Sequence, residues 1–558
     1  MVFHLARLSL MAKRALRRAT TRLASTVFAL LLTTPFSLAQ VPGSLDTIPF
    51  PGFASGNGVI PSFAVGTGDD KAYATAIQAD GKIVMAGGCA TGLTRSMCFV
   101  RFNADGTLDD TFDGPNTTAG NGKFTFLVNA FSNEVRALVI QPDQKILALG
   151  TCDNKFCLAR LNPNGSFDTS FVGPDGTGAG RFRITIGADD DKATAMALQR
   201  DGRIVVVGYC NVDVSGTFRA RYCIARLNVD GSFDTNFDGP IAASPADGRF
   251  SLASIGSSAG GIEFAYAVAL QTDDRIVIAG SCPGSTYQDV CMVRLNANGS
   301  FDTTFDGPSG SGNGKVLVNL GSESIDKPRA ITIQPDGRIL VASECGFGNT
   351  SFCAVRFNEN GSLDTGFGDE LVPNAGGSGY VRRSFGSDFH CPTALGLQPD
   401  GRIVVAGSCA AKFCVVRLHG DGSLDTAFDG SLISPADGFL KLTFGASANF
   451  ATSMVLQPDG KIVVAGYCYN GTNDDFCIAR LNGGPSSAQN CSLDIDGDGK
   501  VLATTDMLIG TRVALGMTGS AVIGGISFPA NAARDQWGTN SSRDIRKYLV
   551  TQCGLSLQ

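Results

Sequence analysis

The stretch Gln457-Pro-Asp-Gly-Lys-Ile-Val-Val-Ala-Gly466 decides the fold, because close copies of it recur along the chain. The pattern Gln-x-Asp-x-(Lys/Arg)-Ile starts at Gln78, Gln141, Gln199, Gln271, Gln334, Gln398 and Gln457, at spacings of 58 to 72 residues. Self-similarity at such a period signals a repeat architecture. Each start leads into an apolar run such as Ile403 to Gly407, then a Cys, a variable loop, a second Cys, and a run ending in Arg-(Leu/Phe)-(Asn/His), as in Val415 to His419. Six of the units continue into a turn like Gly422-Ser-Leu-Asp-Thr426, a Gly-rich loop and a further strand such as Lys315 to Leu320.

Periodicity and turn signals read each unit as four short strands. Four strands repeated seven times predict an all-β, seven-bladed β-propeller. Four residues before each repeat glutamine stands Ala74, Ala137, Ala195, Ala267, Ala330, Ala394 or Ser453. Innermost strands crowd around an axis there, and large side chains would clash. The seventh unit stops at Leu481-Asn482 without its Gly-Ser-Leu-Asp-Thr turn or fourth strand, whereas Gly43-Ser-Leu-Asp-Thr47 and a strand near Val59 to Val65 stand unattached at the start. Pairing the two would close the ring and remove its exposed sheet edges.

The repeat resembles the delta-60 repeat family of secreted bacterial proteins over roughly residues 41 to 484. That resemblance implies a β-propeller and assigns no chemistry.

Composition agrees with mostly β structure. Seventy glycines in 558 residues imply many tight turns, and 17% charged residues leave little for long solvated helices. Residues 1–39 read as a signal peptide: Arg7, Lys13, Arg14, Arg17, Arg18 and Arg22 precede the apolar run Val27 to Leu32, and Ser37 and Ala39 set up cleavage before Gln40. The apolar run is far shorter than the ~20 residues needed to span a bilayer, so no membrane span is expected after cleavage. Removing the six basic residues takes the net charge from −6 to −12. An acidic chain argues against nucleic acid as a partner, which leaves a protein or glycan ligand.

Export places the 17 cysteines, all beyond residue 39, in an oxidising compartment. Fourteen form matching pairs: Cys89 and Cys98, Cys152 and Cys157, Cys210 and Cys223, Cys282 and Cys291, Cys345 and Cys353, Cys409 and Cys414, Cys468 and Cys477. Each pair ends one strand and begins the next, facing across a hairpin within disulfide reach. Metal binding is the rival reading, but these spacings without histidines make poor zinc sites. Cys391 is left over, as a buried thiol.

After a linker at 483–490, residues 491–558 read as a small, mostly helical calcium module resembling EF-hands and dockerins. Asp494, Asp496 and Asp498 fall at loop positions 1, 3 and 5, Gly499 makes the turn and the Lys500 carbonyl falls at position 7. Position 12 is Thr505, and the acid, Asp506, comes one residue late. Helices are expected around 506–515 and 543–552, with Cys491 and Cys553 as an end-to-end staple.

Catalytic motifs are weak. Gly256-Ser-Ser-Ala-Gly260 matches the nucleophile elbow by composition alone, with no helix after it. Asn164, Asn298 and Asn360 spell sequons but read as turns. The remaining constellation is a polar ring eight residues before each repeat glutamine: Asp70, Asn133, Asp191, Glu263, Asp326, His390 and Asn449. These are the candidate ligand contacts at one channel mouth, with local backbone bonding as the plainer account. The variable loops emerge on the same side, where specificity usually sits. A binding scaffold is the leading expectation. The alternatives are a lyase or glycoside hydrolase with a carboxylate site there, and a purely structural surface protein.

Overall fold

In the computed structural model, residues 42–484 are described except 48–52, 116–120, 241–246, 257–260, 308–311, 322–324, 347–350, 369–378, 385–389, 429, 431–437 and 445–447, together with isolated positions between 508 and 545. The signal peptide, the calcium loop, most of both expected C-terminal helices, Cys491 and Cys553 lie outside the described residues, as does most of the linker.

The described chain forms seven four-stranded antiparallel sheets, the blades of a propeller. Their innermost strands are Asp70–Ile77, Asn133–Ile140, Asp189–Leu198, Phe264–Leu270, Lys327–Ile333, His390–Leu397 and Asn449–Leu456, numbered here as blades 1 to 7. Second and third strands, such as Ile146–Cys152 and Lys155–Leu161, are almost wholly buried. Neighbouring blades cover both their faces, so these strands carry continuous apolar runs and not an alternating pattern. Seven apolar clusters fill the seven junctions; the cluster between blades 7 and 1 joins Met85 and Val100 to Val463 and Ile478, with Phe53 wedged in.

Blade 7 is completed by the N-terminal strand Val59–Phe63, which pairs antiparallel with Asp474–Leu481 (Val59 opposite Ala479, Ile60 opposite Ile478). The displaced turn joins as well. Leu45 bridges Leu481, and the Asp46 amide donates to the Arg480 carbonyl at 2.9 Å. The ring is closed by its own ends, as the missing pieces of the seventh repeat predict.

One clasp recurs in every blade. The arginine ending the third strand donates to the turn aspartate of its own blade and to a backbone carbonyl of the next: Arg101 to Asp109 (2.6 Å) and Pro163, Arg294 to Asp302 (2.7 Å) and Glu359. Its guanidinium lies over a phenylalanine, as Arg294 does over Phe305 at 4.7 Å. In blade 7 the partners come from the other end of the chain: Arg480 donates to Asp46 (2.7 Å) and Ala104 and covers Phe53 (4.7 Å).

All seven predicted disulfides form, with Cα separations of 5.7 to 6.0 Å. Their register corrects the expectation that paired cysteines face each other. Cys98 stands opposite Gly87, and Cys89 opposite Ser96, so each bridge runs diagonally. The glycine has its own reason: a Cβ at Gly87 would fall 1.8 Å from the Lys71 carbonyl oxygen, next to the register shift between Ala72 and Ala74 in the innermost strand.

Candidate functional site

The polar ring predicted to rim the channel is present but not open. All seven residues are fully buried. Five of the side chains hold the loop that enters the innermost strand. Asp70 accepts from the Val65 and Gly66 amides at 2.7 Å, Asn133 from Val128 and Asn129, Asp191 from Ile186, Glu263 from Ile255 and Gly256, and Asp326 from Leu320. The same residues tie neighbouring blades together through their own amides. Asp191 donates to the Asn154 carbonyl, Asp326 to Gln288 and Asn449 to Ala411, each at 2.8 Å. His390 is buried beside Phe352. Burial holds the Asp70 carboxyl above its ordinary range, against the pull of the two amides.

The half-exposed side chains at this mouth come from the next positions along the innermost strand, seven and five residues before each glutamine. The first set is Lys71, Glu134, Lys192, Phe264, Lys327, Cys391 and Phe450; the second is Tyr73, Arg136, Thr194, Tyr266, Arg329, Thr393 and Thr452. Second strands add the half-exposed Tyr209 and Tyr467 and the buried Glu344, paired respectively with Lys192, Phe450 and Lys327.

These groups touch from blade to blade around the axis. Tyr73 meets Tyr467 edge-on (6.3 Å), and Lys71 lies over Tyr467 (4.9 Å) while pairing with Asp474 (3.0 Å). The Arg136 guanidinium covers Tyr73 (4.2 Å) and bonds Glu134. Tyr209 packs edge-on against Phe264 (4.8 Å), and Arg329 covers Tyr266 (4.9 Å) while pairing with Glu344 (2.6 Å). Burial holds the hydroxyls of Tyr73, Tyr209, Tyr266 and Tyr467 above the ordinary phenol range.

Among the described residues, Cys391 is the free cysteine. It is half-buried, where a buried thiol was expected, because its position belongs to this girdle. Its Sγ donates to Glu344 Oε1 at 3.0 Å, and burial followed by the Glu344 charge pushes the thiol well above its ordinary value, which favours the protonated form. The sequon asparagines are turn residues: the Asn164, Asn298 and Asn360 side-chain oxygens each accept from the serine two residues on.

The surrounding loops add apolar surface. Among the described residues, five of the eight exposed large hydrophobic side chains (Leu93, Phe131, Phe218, Ile262 and Tyr469) stand on the hairpins and entry loops of this face. The opposite face carries the repeated turns, such as Gln78 to Lys82, closed by an amide-to-carbonyl bond of 2.9 Å.

No match was found among curated proteins. Similar solved structures include a protein of unknown function from Dyadobacter fermentans (11% identity, TM-score 0.35, covering 76% of this chain and 99% of that one). A streptogramin B lyase (11%, 0.39, 76% and 97%) and a PL25 ulvan lyase (11%, 0.44, 76% and 96%) are similar to the same extent. At such identities and scores these likenesses say nothing about chemistry. A family model described as a beta-propeller domain of unknown function, DUF5122, matches residues 78–112, 141–171, 199–237, 271–305, 334–367, 398–428 and 457–483. In keeping with the delta-60 resemblance, each of the seven blades thus carries one repeat that matches the DUF5122 beta-propeller model.

Proposed function

We propose that this chain is an exported, non-enzymatic binding protein that takes a protein or glycan ligand on the variable-loop face of its propeller. The observation that carries the reading is the company kept by the girdle: tyrosines, arginines and lysines at the mouth, flanked by Leu93, Phe131, Phe218, Ile262 and Tyr469 exposed on the loops of that face. Exposed apolar groups gathered on one side of a scaffold mark an interaction surface, which disfavours a purely structural role. A lyase or glycoside hydrolase built on Asp191, Glu263 and Asp326 is the weaker alternative, since each of those carboxylates is engaged with backbone amides. The mouth tyrosines, held above their ordinary range, are poor general bases at neutral pH.

Under the same reading, residues 1–39 are removed on export, and residues 491–558 bind calcium through Asp494, Asp496, Asp498, the Lys500 carbonyl and Asp506. Cys491 and Cys553 staple that module.

The test is a glycan and small-molecule array probed with the chain from Gln40 onward, with and without calcium. A ligand whose binding is lost on Tyr266→Ala supports the reading. A ligand indifferent to Tyr266→Ala and Arg136→Gln but lost on changing the opposite turns, for example Arg203→Ala, overturns it. Calorimetry with calcium should give one binding event that Asp494→Ala abolishes; an unchanged isotherm would remove the calcium assignment.

A further inference from the structure

We infer that the girdle recognises an acidic sugar, the uronate or sulfated residue of an extracellular polysaccharide. This rests on the reading that the ligand sits at this mouth and adds its chemical class.

At the girdle positions themselves five cations, Lys71, Arg136, Lys192, Lys327 and Arg329, stand against one acid, Glu134. Lys71 is paired with Asp474 (3.0 Å) and Lys192 with Asp190 (3.1 Å), so the groups that can meet a ligand are the outer edges of Arg136 and Arg329, together with Lys327. Cationic groups presented in a partly dry mouth attract ligands of the opposite sign. Two of these cations are held ready. Arg136 gives Nε and Nη2 to Glu134, and Arg329 gives Nε and Nη2 to Glu344. In both, Nη1 has no partner among the described residues, and the side chains remain 38% and 32% exposed. Lys327 has no ion pair among the described residues either. The glutamates and the tyrosine faces beneath fix the guanidinium planes, so an incoming carboxylate or sulfate meets oriented donors at little entropic cost.

Between the cations stand two aromatic groups: Phe450, Tyr467 and Tyr73 from blades 7 and 1, and Tyr209, Phe264 and Tyr266 from blades 3 and 4. Arg136 separates them on one side, and Arg329 flanks the second group on the other. The apolar face of a pyranose stacks on such rings while its hydroxyls and acid group stay with polar partners. A neutral glucan would make no use of the two oriented guanidinium edges or of Lys327.

The experiment titrates the exported chain by calorimetry with oligogalacturonate, a sulfated galactan oligosaccharide, a neutral gluco-oligosaccharide and a thymidine oligonucleotide. The expected result is binding of the first or second, whichever it is identifying the acid group. Arg136→Gln with Arg329→Gln should weaken it at least ~10-fold, as should Tyr266→Ala, in chains whose far-UV circular dichroism still reports the folded propeller. Replacing both arginines by lysine should restore part of the affinity, and rising salt should weaken binding as it screens the half-exposed charges. Stronger binding of the neutral sugar or the oligonucleotide, or acidic-sugar binding indifferent to the arginine pair, would overturn the inference. So would failure of all four probes. If an array ligand of another class is then lost on Tyr266→Ala, the mouth reading stands and only the acidic-sugar assignment falls.

Discussion

Asp46→Ala should destabilise the whole propeller although it lies outside every regular strand. Asp46 is fully buried and accepts from Arg480 Nε (2.7 Å) and Nη2 (2.6 Å) and from Lys461 (3.0 Å). Truncating it leaves the Arg480 guanidinium, 4% exposed, without its counter-charge. Breaking a buried pair from one side costs about 3 to 5 kcal/mol. For an m value of ~3 kcal/mol per M, that moves the urea midpoint down by about 1 to 1.7 M. Far-UV circular dichroism is the suitable signal, because the single tryptophan, Trp537, lies beyond the repeats. Adding Arg480→Met should recover much of the loss by removing the stranded charge. Asp234→Ala, the same clasp within blade 3, is the control, since there the partners Arg226 and Asp234 lie on neighbouring segments. If Asp46→Ala moves the midpoint by less than ~0.3 M while Asp234→Ala moves it by more than ~1 M, the idea that the chain ends share a working clasp is wrong.

Acid should loosen the same clasps. Burial alone would raise Asp109 and Asp168, but bonds from Thr111 and Ser170 and the charges of Arg101 and Arg160 outweigh it and bring both to about 2; Asp234, Asp302 and Asp425 are also lowered. A carboxylate lowered on folding stabilises above its unfolded value and loses that contribution as pH falls through the folded one. Stability should therefore be flat above pH ~4 and drop between ~4 and ~2 by about 1 to 2 kcal/mol per clasp after solvent screening, read from urea midpoints against pH. Asp70 and Asp289, raised by burial, act in the opposite sense. A stability that rises on acidification through this window would contradict the assignment. Replacing Cys152 and Cys157 together by alanine should cost about 2 to 3 kcal/mol with the ring still closed, and a negligible change in the urea midpoint would deny that disulfide a stabilising role.

Much of the fold can be read from the repeat because its constant residues do the same physical work seven times. The Gln-x-Asp-Gly turn, the small residue four before it and the cysteine pair each recur for a reason visible in one copy. The unpaired Gly43 to Thr47 motif announces closure simply by being out of place. The clasp is only half legible: its arginine and its aspartate are both conspicuous, but nothing in their spacing says that the guanidinium also reaches the next blade. The site reverses the lesson. The ring from Asp70 to Asn449 is uniform in polarity, and from Asp70 to Asp326 each copy performs one structural duty, capping its entry loop. One and three residues further on, Lys71 and Tyr73 are replaced around the ring by Glu134 and Arg136, Phe264 and Tyr266, Cys391 and Thr393. Positions that vary inside a repeat are released from holding it together, and that variability is the signal that marks the girdle.

The girdle exists only in a closed ring, since Lys71 and Tyr73 meet Asp474 and Tyr467 across the seam between blades 1 and 7. Native-state hydrogen exchange on the exported chain tests that closure most directly. The amides of Asp46 and Arg480, bonded across the seam to the Arg480 and Gly58 carbonyls at 2.9 and 2.8 Å, should exchange as slowly as those inside blade 3. Exchange of Gly43 to Thr47 and Val59 to Phe63 at the rate of an unstructured peptide, with blade 3 fully protected, would contradict it.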